Sequence, residues 1–208
     1  MLQAGAQAVF GRSCCDEDRL RPRPPVHYDE DMLAYLFWHW PAPTVDAARY
    51  AEALVAFHRA LASSAPPGLR ASRVFEVEAA PWLAIPRAFE DWYLVDDFAA
   101  LGALNDAAVS GARRDPHDAA ARLAGGGHGG VYRLVAPGLG SAALDRTTWC
   151  SKPDGVPYAE FLTRLPAGET WQRQLVLGPA PEFCVVGVDA AAALGGVAVP
   201  ARRIHASP

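Results

Sequence analysis

Four side chains in this sequence have the types and placing to move protons. His39 is the one imidazole in the apolar run Met32–Trp40, near the end of its strand, with only Trp40 between it and the turn Pro41-Ala-Pro43. Glu76 and Glu78 alternate with Phe75 and Val77, and Asp91 alternates with Tyr93 inside Phe89–Val95. A histidine at the end of a strand, oriented by a carboxylate, can act as general acid or base. His39, Glu76, Glu78 and Asp91 are therefore the candidate catalytic residues. The competing reading is a structural ion and hydrogen-bond network, or glutamates on a solvated sheet edge, because such networks collect the same residues. Buried carboxylates need cations beside them, and Arg133, Arg173 and His39 are available.

Other motifs carry less. Gly125–Gly130 contains G-x-G-x-x-G, but a dinucleotide site needs a helix after it and here a strand follows. The stretch reads as a flexible loop, with His128 as a lid residue. Trp38, Trp40, Trp92 and Trp149 could stack on a flat ligand or simply fill a core. The six histidines show no metal-binding spacing. There is no nucleophile elbow and no P-loop, so neither a metal nor another cofactor is expected. Cys14 and Cys15 are adjacent in a polar leader, while Cys150 and Cys184 are isolated and read as reduced thiols in neighbouring strands.

The elements that would position these groups follow from periodicity. Met32–Trp40 is apolar on both faces and reads as a buried strand, with Met32, Ala34, Leu36, Trp38 and Trp40 on one face and Leu33, Tyr35, Phe37 and His39 on the other. A helix from Val45 to about Leu61, capped at Thr44 with Asp46 in its first turn, places Tyr50, Leu54, Phe57 and Leu61 on one stripe. Arg73–Glu78 is a second strand. Phe89–Val95 is a third, followed by a helix that Asp96-Asp97 caps at Phe98. A long polar connection, Ser110–Gly130, leads to a fourth strand at Val131–Val135. After Pro137–Ala143 the order recurs: strand Arg146–Ser151, helix Pro157–Leu165, strand Thr170–Leu177, strand Phe183–Val188, an Asp189-capped helix, and strand Val197–Ile204.

Strand, helix, strand, strand, helix, strand is the ferredoxin-like βαββαβ order. Twice in one chain, over about Asp31–His205, it resembles the dimeric α+β barrel superfamily, in which the sheets of two units face each other and the helices lie outside. Residues 1–28, which carry little periodicity and the run Arg-Pro-Arg-Pro-Pro, read as a mobile N-terminal arm. The resemblance implies an α+β protein with a first unit at 29–137 and a shorter second unit at 138–208. It leaves open whether the barrel closes within one chain or across a homodimer. It also implies a pocket inside the barrel, where Tyr35, Phe37, Tyr93, Arg133, Trp149, Arg173 and His128 would bind a ligand beside His39, Glu76, Glu78 and Asp91. The superfamily holds cofactor-independent monooxygenases, ring-modifying enzymes, haem enzymes and members without known activity, so fold does not choose among them.

Composition narrows the classes. The 208 residues are 51% hydrophobic and 20% charged, enough for a real core. A net charge of -4 and the lack of a basic run argue against nucleic acid and acidic membrane surfaces as partners. No apolar run approaches the roughly 18 residues of a membrane span, and no secretory signal pattern opens the chain, so the expected location is cytoplasmic. Two functions follow. The first is a barrel that binds a small aromatic or apolar compound and acts on it by acid/base chemistry; a barrel centre packed with side chains would count against it. The second is a non-catalytic interaction or scaffold protein, for which an apolar exterior patch without a cavity would speak.

Overall fold

The computed structural model describes residues 32–138 and 146–207. The expected N-terminal arm, Cys14 and Cys15, and most of Pro137–Ala143 lie outside the described residues. The first half runs β1 (Leu33–Pro41), α1 (Ala47–Ser63), β2 (Leu69–Glu78), β3 (Arg87–Val95), α2 (Phe98–Ala108), α3 (Arg114–Ala121) and β4 (Ala124–Ala136). The second runs β5 (Arg146–Cys150), α4 (Tyr158–Arg164), β6 (Thr170–Arg173), β7 (Phe183–Val186), α5 (Ala191–Leu194) and β8 (Val197–Ser207).

The eight strands close into one barrel in the order β1-β3-β2-β8-β5-β7-β6-β4. Each half contributes four antiparallel strands in the ferredoxin-like order, β4-β1-β3-β2 and β8-β5-β7-β6. The halves join at two antiparallel seams, β2 with β8 and β4 with β6. The fold is thus an α+β barrel of two tandem ferredoxin-like units, and it closes within one chain.

Local chemistry explains the helix starts. Asp46, not Thr44, caps α1, accepting from the amides of Ala48 at 3.0 Å and Arg49 at 3.1 Å. Asp97 caps α2 through the amide of Ala100 at 2.8 Å. Asp189 departs from that pattern: it is ion-paired with Arg146 at 2.7 Å and caps nothing, because the short α5 starts beyond Ala190. Within the expected connection Ser110–Gly130, a 3₁₀ turn and α3 form first. Its glycine-rich end is the start of β4 rather than a loop.

One expectation reverses. The barrel centre is filled by Leu36, Trp38, Trp92, Tyr132, Trp149 and Trp171, with Phe75, Val77 and Leu94 around them. Trp171 is fully buried and Trp40 half-buried. Tyr35, Phe37, His39, Asp91 and Tyr93 therefore point the other way, towards the helices. Both faces of β1 are apolar enough to be buried, so period-two alternation divides the residues correctly without saying which set is inside.

Cys150 and Cys184 are both free and buried on the paired strands β5 and β7. Cys184 faces the barrel, whereas Cys150 packs beneath α4 with Phe161 and Phe183. Opposite faces put a bridge between them out of reach. No helix among the described residues is long and apolar enough to cross a membrane.

Candidate functional site

Between the outer face of the sheet and the helices lies a cavity of about 580 Å³. Tyr35, Phe37 and His39 of β1, Asp91 and Tyr93 of β3 and Val131 of β4 form its floor. Tyr50, Leu54 and Phe57 of α1, Leu101, Leu104 and Asn105 of α2, and His117 of α3 form its walls and roof. Small residues at the helix ends, Ala108, Ala120 and Ala121, also line it. Their short side chains leave the space that larger apolar residues would fill.

The floor on β1 is a set of near-parallel rings. Tyr35 and Phe37 lie 6.2 Å apart with planes 15° apart, and Phe37 and His39 lie 4.8 Å apart at 24°. They lean over β4, whose glycines stand in register: Phe37 opposite Gly129 and His39 opposite Gly127. A Cβ on Gly127 would come within 2.6 Å of Phe37 Cζ, and one on Gly129 within 2.7 Å of the Tyr35 hydroxyl. The run whose composition reads as a flexible loop is in fact a bare strand on which the rings rest.

In the cavity floor is Asp91, only 2% exposed. Its Oδ2 lies 3.2 Å from His39 Nε2 and 3.2 Å from His58 Nε2, and accepts a 2.9 Å hydrogen bond from the Tyr93 hydroxyl. The His39 ring approaches off the line of a hydrogen bond through Nε2, while its Nδ1 is 2.7 Å from the Tyr50 hydroxyl. Asp91 Oδ1 and His58 Nδ1 are buried and make no hydrogen bond. Burial alone would raise the Asp91 pKa, but His39 and then His58 outweigh it electrostatically and hold the carboxyl well below the usual carboxylate range. Burial first, and the Asp91 charge second, push Tyr50 and Tyr93 up, so both phenols keep their protons and can donate. The arrangement is an ionised carboxylate between two imidazoles, with one buried oxygen unsatisfied, in the lining of a largely apolar cavity.

The structure thus brings together His39, Asp91, Tyr35, Phe37 and Tyr93. It separates the rest. Glu76 pairs with Arg202, and Glu78 with Arg87 at 2.6 Å, both on the outside of the barrel away from His39. Arg133 is half-buried outside the cavity lining. Trp149 lies in the barrel centre, its indole donating to Thr147 Oγ1 at 2.8 Å. Arg173 binds the carbonyls of Gly178 at 3.1 Å and Ala180 at 2.6 Å, fixing a turn. His128 is an exposed residue of β4 with its ring beside Trp40, not a lid.

Sequence reasoning missed two acid/base groups and placed a third only in the core. His58 follows Tyr50 and Leu54 at i+8 and i+4, so the helical stripe did contain it. Tyr50 was read as core packing. Glu90, one residue before Asp91, faces the barrel, where its carboxylate accepts 2.6 Å bonds from the indoles of Trp38 and Trp92. Burial, opposed by those two bonds, pushes it up to about 7. Among the described residues no group of three or more His, Cys, Asp or Glu side chains is disposed to hold a metal ion.

No protein-family model matches the chain, and no curated protein matches it. Among solved structures it is similar to the crystal structure of a protein from Fusobacterium nucleatum subsp. nucleatum ATCC 25586 that is provisionally designated a monooxygenase. The TM-score is 0.55 at 9% identity, over 85% of this chain and 94% of that one. At that identity the likeness is one of fold.

Proposed function

We propose that the chain binds a small, flat, largely apolar molecule in the cavity between helices and sheet and acts on it by acid/base chemistry. The observation that carries this reading is the buried His39–Asp91–His58 cluster, with one carboxylate oxygen unsatisfied, at the floor of a largely apolar cavity. The near-parallel rings of Tyr35 and Phe37 supply a stacking surface, and His39, held at Nδ1 by the Tyr50 hydroxyl with the Asp91 carboxylate beside Nε2, acts as general base or acid towards an acidic O–H or C–H of the ligand. The designation of the Fusobacterium protein is in keeping with an enzyme, and supports no finer statement about the reaction. The packed barrel centre counts against the ligand expected inside the barrel, and the reading rests instead on the cavity between helices and sheet. A scaffold protein would show an apolar exterior patch and no cavity: the exposed turn Leu175–Leu177 meets the first condition, and the cavity fails the second.

The test uses 2-tetralone, an apolar bicyclic ketone with an acidic C–H, and follows hydrogen–deuterium exchange at that carbon by NMR. Wild type is expected to accelerate exchange over buffer, and His39→Ala to lose roughly a hundredfold or more of the enhancement. Exchange no faster than in buffer, with the ketone shown to be bound, would sink the acid/base reading.

A further inference from the structure

The cavity uses one nitrogen of His58 and leaves the other. Nε2 faces Asp91, while Nδ1 is buried and makes no hydrogen bond. The ring next to it is His205 of β8, centroid to centroid 5.9 Å and inclined at 63°. Nε2 of His205 is likewise buried and makes no hydrogen bond. Two neighbouring imidazoles that each withhold a nitrogen from solvent and from protein carry an unmet desolvation cost, the situation in which a single buried water finds polar partners on two sides.

His205 reaches this place through a fault in the strand. Val199 and Ala201 point into the barrel, and strict alternation would send His205 there too. Between Val74 and Phe75 of β2, however, the partner in β8 steps from His205 to Arg203, leaving Ile204 as a bulge. His205 consequently stands opposite Val74, which packs under α1 with Tyr50 and Leu54. A bulge that re-aims one side chain from the core to a functional layer is a recurrent use of that irregularity.

We propose that a water molecule bridges His58 Nδ1 and His205 Nε2, and that this pair is the proton exit of the site. The inference rests on the acid/base reading for the proton it carries. A proton gained at His39 is handed on at Asp91 Oδ2, which stays ionised at rest, to the lone pair of His58 Nε2; His58, starting with its proton on Nδ1, releases that proton to the bridging water. The water gives one of its own protons to His205 Nε2, and His205, half-buried, loses one from Nδ1 to solvent. Each ring gains and loses one proton and changes tautomer. His205 is suited to this because burial first, then His58 and Arg59, favour its neutral form against the opposite pull of Asp91. The second half of the chain thereby supplies a positioning residue to the site of the first.

The experiment measures exchange of the His58 ring N–H with water in ¹⁵N-labelled full-length protein, in wild type, His205→Phe and His205→Gln. Phe keeps the ring and removes the nitrogen, and Gln retains a polar atom for the water. Exchange is expected to be roughly tenfold slower in His205→Phe and partly restored in His205→Gln. A wild-type crystal structure is expected to show an ordered water within about 3 Å of both nitrogens. Unchanged exchange in His205→Phe, or a dry gap between the rings, would overturn the relay; should His205→Phe not fold, the crystal structure decides alone. Absence of 2-tetralone exchange in wild type counts against the acid/base reading and leaves these two measurements standing.

Discussion

Asp91 joins the largest number of polar interactions at the cavity and gives the sharpest single-residue test. Asp91→Asn keeps the shape and removes the charge that faces His39 and His58. Breaking a buried pair by deleting one partner leaves the others uncompensated, so urea denaturation at pH 7 is expected to show a loss of about 3 kcal/mol. The pH dependence fixes the cause. The folded-state pKa of Asp91 is depressed, so its stabilisation is fully present above the unfolded carboxylate value of about 3.9 and lost as pH falls through the lower folded value. Wild type therefore has an acid limb below about pH 4 that Asp91→Asn shares less. Equal acid limbs in the two proteins would mean that Asp91 is not held ionised by its histidines.

At the scale of elements, β4 makes two different demands on glycine. A methyl at Gly129 meets the far end of the Tyr35 ring, which can swing into the cavity. A methyl at Gly125 meets backbone, the Pro41 carbonyl at 2.8 Å and Ala42 Cα at 2.9 Å, which cannot. Gly129→Ala is expected to weaken 2-tetralone binding roughly tenfold with a small change in Tm, and Gly125→Ala to lose about 1–3 kcal/mol of stability. The reverse order in a thermal melt would remove the strand's role as a bed for the rings. This strand was also where the sequence was least legible. Six residues rich in glycine have no side-chain periodicity, and their pairing is dictated by the rings of β1, which local pattern does not report. The alternation in β1 and β3, by contrast, already grouped Tyr35, Phe37 and His39, and Asp91 with Tyr93. What it lacked was a sign: whether that face met the barrel or the helices. Glu76 and Glu78 shared the alternation of a site and were ordinary exterior ion pairs.

For the whole molecule, the consequence is mutual dependence of the halves. Without β5–β8, strands β2 and β4 become open edges and the face bearing Trp38 and Trp92 meets water. Fragments 32–138 and 146–207 produced separately are expected to be insoluble or unfolded by circular dichroism, and to recover native tryptophan emission when refolded together. A separately folded, monomeric first fragment would contradict that. Strand β3 runs through the middle of this assembly with a buried acid on either side: Glu90 inward among indoles, Asp91 outward at the cavity. Burial, opposed by the bonds from Trp92 and Trp38, raises the Glu90 pKa from 4.5 to about 7; the Asp91 charge adds the smallest share, and through it a change of charge on one side of the sheet reaches the other. Folded Glu90 holds its proton more tightly than unfolded, and its contribution to stability is fullest below 4.5 and lost as pH rises through about 7. Trp38 and Trp92 donate directly to that carboxylate and act as its optical gauge. Their emission is expected to titrate near neutrality, to move when a ligand alters Asp91 on the far side, and to do neither in Glu90→Gln. The protein would then carry its own fluorescent meter of what occupies it.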